Sequence, residues 1–142
     1  MKKWAVAVAV FIGLFASLSG NADAARREEP RREQAAVPAR DLTGVYRCEG
    51  RNPDGERYAG TVIIRNAGSA YQLFWLIGSV NYSGVAVQQG DRLSSSWESG
   101  DAAGIVVYKA GRDGRQLEGE WAAYPGDGPL GAETLTFLRN LE

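Results

Sequence analysis

From Asp41 onward, turn-forming sequences interrupt the chain every ten residues or so, and no stretch between them keeps apolar residues at helical spacing for long. Asn52-Pro53-Asp54-Gly55 joins a proline that presets the first central angle of a turn to a glycine that relieves its last position. Asn66-Ala67-Gly68, Gln89-Gly90-Asp91 and Arg112-Asp113-Gly114 each suit a tight antiparallel hairpin. Most of these links are too short for the crossover that parallel strands need, so neighbours in sequence become neighbours in one antiparallel sheet. The punctuation restricts residues 41–142 to an all-β domain.

Eight runs lie between the turns: 43–49, 57–65, 70–77, 81–88, 92–97, 104–109, 116–122 and 133–139. Period two is visible within them. Tyr71, Leu73, Trp75 and Ile77 share one face, and Leu117, Gly119 and Trp121 oppose Glu118 and Glu120. A row of consecutive antiparallel strands leaves two exposed edges unless it closes on itself. The expected architecture is an antiparallel up-and-down barrel of about eight strands, with a β-sandwich as the alternative. A barrel of this size either fills with side chains or holds one small ligand.

Residues 1–24 read as a signal peptide: Met1-Lys2-Lys3 is cationic, Trp4 to Leu18 is apolar apart from Gly13 and Ser17, and Ala22-Asp23-Ala24 is a small-residue cleavage site. This apolar run is shorter than the roughly 20 residues of a spanning helix, so no stable membrane anchor is expected after cleavage. The expected destination is the periplasm or the exterior. Residues 25–40 hold five Arg and three Glu, two Pro and no aromatic, the composition of a disordered charged linker.

Composition removes whole classes of chemistry. With His 0 and Cys 1, His-dependent triads, Cys-His nucleophiles, His-ligated zinc and an internal disulfide are all excluded. A formal net charge of -1 supplies no pull toward nucleic acid. No cofactor, metal site or catalytic residue is expected. Asp54, Asp113 and Asp127 fit turns rather than a calcium loop, and Gly126-Asp127-Gly128 lacks the Lys-Ser/Thr of a phosphate loop. Glu118 and Glu120, about 7 Å apart along a strand, are the one carboxylate pair spaced for glycosidic acid–base work. Their alternation with Leu117 and Trp121 puts them on the solvent face, so the chain reads as a non-enzyme.

The aromatic residues are the remaining candidates. Trp75, Trp97 and Trp121 sit late in their strands, and Trp97, Trp75, Tyr46 and Tyr82 are the predicted ligand-binding residues of an aromatic-lined pocket. Trp75 and Trp121 share parity with apolar residues and should point inward, Trp121 as core, with Gly119 leaving room for its indole. Trp97, beside Ser94, Ser95 and Ser96, has the most polar neighbours in sequence. Cys48 shares a face with Tyr46 and is expected to be a buried, inert thiol.

Gly44-Val45-Tyr46-Arg47-Cys48-Glu49-Gly50, then Asn52-Pro53-Asp54-Gly55 and Tyr58-Ala59-Gly60-Thr61-Val62, resemble the opening of a family of small exported bacterial proteins often labelled fibronectin-binding. The likeness continues through Tyr71, Trp75, Val106-Val107-Tyr108-Lys109, Leu117-Glu118-Gly119-Glu120-Trp121 and Glu133-Thr134-Leu135-Thr136. In strand count and order alone the chain is also similar to avidin-like and lipocalin-like barrels. The resemblance implies an exported binding module engaging an extracellular-matrix or envelope protein and carries no catalytic residue. Its alternatives are a carrier of a small apolar ligand, or an inhibitor of a lytic enzyme acting through the loop Tyr124-Pro125-Gly126-Asp127-Gly128-Pro129. A protein partner could also add a strand to an open sheet edge.

Overall fold

The structure, a computed structural model, describes residues 39–142. The signal-peptide reading and all but the last two residues of the linker lie outside the described residues. Eight strands follow one another: β1 (Gly44–Arg51), β2 (Arg57–Ala67), β3 (Ala70–Ile77), β4 (Val80–Gln89), β5 (Arg92–Ser99), β6 (Ala102–Ala110), β7 (Gln116–Tyr124) and β8 (Gly131–Arg139). Each pairs with the next, and β8 returns to β1, so the sheet closes into a barrel in sequence order. The closing seam is antiparallel, with Cys48 opposite Leu135 and Arg51 opposite Ala132. This is the expected up-and-down barrel.

Several strands run a residue or more beyond the bounds read from sequence because four of the loops are only two residues long. Gly68, Gly78, Gly90 and Gly100 hold φ of +79°, +59°, +62° and +57°, and no other residue type has a positive φ among the described residues. A glycine with positive φ followed by an ordinary residue is the type II′ turn, whose twist matches that of the flanking strands. Glycine also sets the curvature. A Cβ on Gly60, Gly84 or Gly104 would lie 2.2, 1.9 or 2.0 Å from a carbonyl oxygen of the adjacent strand. Only a residue without a side chain lets the strands bend this closely together.

Inward positions build one core from Val62, Ile64, Leu73, Leu93, Tyr108, Leu117 and Leu135. Cys48 is fully buried among them and free. One end of the barrel is shut by the segment leading into β1. Leu42 is buried, its carbonyl accepts from the Tyr46 hydroxyl at 2.8 Å, and the Arg40 carbonyl accepts from Gln88 Nε2 at 3.0 Å. The Arg40 guanidinium reaches the carbonyl of Asp113, which ties the segment to the loop between β6 and β7. Asp41 steadies it by accepting from the Thr43 amide at 3.0 Å and its hydroxyl at 2.7 Å, and these bonds hold the Asp41 carboxyl below its usual range.

Candidate functional site

At the opposite end, the inward side chains leave a cavity of about 190 Å³. Its lining comes from inward positions near the ends of β3, β5 and β7 and near the starts of β2, β4 and β8: Trp75, Ile77, Trp97, Trp121, Tyr58, Tyr82 and Glu133, with Asn52 and Val106 completing it. The end that holds them is ringed by the loops 52–56, 78–79, 100–101 and 125–130.

The register explains why such large rings leave space. Tyr58 stands opposite Gly50, Trp97 opposite Gly104 and Trp121 opposite Gly131. A Cβ on any of these glycines would sit within 2.1 to 2.4 Å of the facing ring. Each ring therefore lies sideways over its neighbour's bare backbone and becomes wall. Tyr82 and Trp97 meet edge to face at 5.9 Å and 82°, and Trp97 and Trp121 at 6.0 Å and 84°, so adjacent walls stand at right angles.

Glu133 is only 7% exposed and forms the floor. Four donors converge on its carboxyl group. Oε1 accepts from Trp75 Nε1 at 3.0 Å and from the Tyr108 hydroxyl, while Oε2 accepts from the Tyr58 hydroxyl at 2.8 Å and Cys48 Sγ at 3.4 Å. Two donors on each oxygen suit an ionised carboxylate, which only accepts. Burial first, and then the adjacent Glu133 charge, push Tyr58, Tyr108 and the Cys48 thiol well up. The thiol is thus held protonated, as the inert reading of Cys48 requires. Trp121 Nε1 is buried over Gly131 beside the Tyr58 hydroxyl, without a hydrogen bond of normal geometry.

Of the four predicted ligand-binding residues, Trp75, Trp97 and Tyr82 line this cavity and Tyr46 does not. Tyr46 is 1% exposed at the shut end, stacked edge to face on Phe137 at 5.5 Å, with its hydroxyl spent on Leu42. Parity placed it inward correctly but carries no information about which end of the barrel it reaches. The Trp121 indole lies over Gly131 rather than beside Gly119, whose open space receives the Tyr108 ring, and Trp121 is half-buried cavity wall rather than core. The surroundings of Trp97 are aromatic rather than polar, because Ser94 and Ser96 face outward. Tyr58 and Glu133 went unread as site residues, although Glu133 shares parity with Leu135 and Phe137 and is an acid at an inward position. Glu118 and Glu120 are exposed on the outer face of β7.

No protein-family model and no curated protein matches this chain. Among solved structures it is similar to a redesigned β-barrel, with TM-score 0.60 and 14% identity over 69% of this chain and 92% of the other. A second redesigned β-barrel, solved with DFHBI bound, gives TM-score 0.58 and 16% identity over 67% of this chain and 94% of the other. A de novo designed fluorescence-activating β-barrel gives TM-score 0.54 and 17% identity over 68% and 93%. These likenesses concern the closed barrel fold.

Proposed function

We propose that this chain is an exported, non-enzymatic barrel that binds one small, largely apolar ligand at its tryptophan-lined end. The observation that carries the reading is the cavity at one end of the barrel, walled by Trp75, Trp97, Trp121, Tyr58 and Tyr82. A dry cavity of roughly 150 Å³ accepts benzene, so 190 Å³ suits a single ring or a group of similar bulk. Two designed neighbours support the reading by analogy, one solved with DFHBI and one described as fluorescence-activating.

The exposed position of Glu118 and Glu120 supports the non-enzymatic half of the proposal. Closure of the sheet leaves no strand edge for a partner's segment to join, which disfavours that route to a protein partner. A matrix or envelope protein, the partner that the family resemblance implies, would instead meet the outer surface, where Val85, Val87 and Ile105 stand more than half exposed.

Indole N–H resonances of nitrogen-labelled protein, followed during titration with phenol, test the small-ligand reading. The Trp121 and Trp97 signals should move and saturate, with Trp75 least affected. No movement at Trp121 with phenol, cyclohexanol or indole would overturn it.

A further inference from the structure

The Glu133 carboxylate has four donors and no cation. Among the described residues the one ion pair is Arg47 with Glu49, both exposed, and no Lys or Arg lines the cavity. Hydrogen bonds offset part of the cost of burying a charge, and the remainder stands until an opposite charge approaches. The open side of this carboxylate is the cavity, where Trp75, Trp97, Trp121, Tyr58 and Tyr82 supply the electron-rich faces that attract a cation.

Resting on the small-ligand reading above, we propose that the ligand is an organic cation with an alkylated ammonium group, held by the aromatic walls above Glu133. Alkylation follows from the hydrogen-bond count. Both Glu133 oxygens already accept two bonds each, so a primary ammonium would find its three donors without acceptors there. A trimethylammonium group brings charge without donors and presents methyl groups to the rings.

Calorimetric titration of the purified chain with choline, its neutral isostere 3,3-dimethylbutan-1-ol, and ethanolamine at matched ionic strength separates the possibilities. Choline should bind about tenfold more tightly than the isostere, the range expected of a desolvated cation–π contact, and ethanolamine more weakly than choline. Glu133→Gln should reduce the preference for choline over the isostere. If that variant fails to fold, the choline-to-isostere ratio on the unaltered chain decides alone. Equal or tighter binding of the isostere overturns the cation while leaving the small-ligand reading intact, and stronger binding of ethanolamine overturns the alkylated group. Phenol binding with no response to choline likewise removes only this inference, whereas silence to every probe removes both.

Discussion

At the end of the barrel crossed by residues 40–42, a tyrosine hydroxyl and a glutamine amide reach the backbone of the chain's own lead-in segment, and Leu42 and Tyr46 are buried. At the other end, tyrosines and tryptophans of the same inward parity surround 190 Å³ of space. The residue types barely differ between the two; what stands across the strand does. Tyr46 faces Val62 on one side and Phe137 on the other, so its ring meets bulk and completes a core. Tyr58, Trp97 and Trp121 each face a glycine and lie down over it. A glycine partner lets a ring lie flat, and position along the barrel decides the rest, since Tyr108 lies over Gly119 in the same way and is fully buried core.

The largest expected effect involves both ends at once. Burial, then the nearby Asp41 and Tyr71, push Tyr46 up to about 12, and burial with Glu133 raises Tyr58 and Tyr108. These phenols hold their protons more tightly folded than unfolded. Their contribution is complete below the ordinary tyrosine value of about 10 and is lost as pH climbs toward the folded-state values. The thermal midpoint should stay level up to that point and fall steeply above it, with Tyr46, Tyr58 and Tyr108 ionising only as the barrel opens. Gradual titration of Tyr46 in an intact barrel would contradict the assignment of that end as sealed.

Tyr46→Ala should cost about 3 to 5 kcal/mol in denaturant unfolding, the range for truncating a buried aromatic residue, with ligand affinity of the folded protein unchanged. Gly84→Ala places a Cβ 1.9 Å from the Ser96 carbonyl oxygen, which cannot move away cheaply, and about 1–3 kcal/mol should be lost. Gly131→Ala first meets the Trp121 ring, a side chain that can turn, rather than backbone. It should cost less stability than Gly84→Ala but change phenol affinity, and the reverse order would break the distinction between curvature glycines and wall glycines. Trp97→Ala, at a half-buried ring, should cost about 1–2 kcal/mol and abolish binding. Glu118→Gln with Glu120→Gln, on the exposed face, should stay within about 0.5 kcal/mol and leave binding unchanged.

The strand order was readable because it rests on local chemistry. Gly68 and Gly90 announce their turns, Asn52-Pro53-Asp54-Gly55 announces a longer one, and links of two to six residues leave no choice but antiparallel neighbours. Gly78-Ser79 and Gly100-Asp101 were harder to see, since each turn signal there is the glycine alone. Parity was readable for the same reason. Trp75, Trp121, Cys48 and Glu133 all sit at inward positions that alternation along their own strands identifies.

Depth along the barrel and identity of partners were not readable. Period two says whether a side chain faces in, and says nothing of which end it occupies, which is why Tyr46 was grouped with Trp97. The Glu133 cluster joins residues 25, 58, 75 and 85 positions away, from β6, β3, β2 and β1. By itself the sequence determined an antiparallel β-meander, its turns and its inward faces, because these depend on neighbours two to four residues apart. Only the tertiary structure decided which end is sealed, which rings lie over glycine and which donors meet the buried carboxylate. Those outcomes depend on register between strands and on the closing of β8 against β1, which brings distant residues to one point.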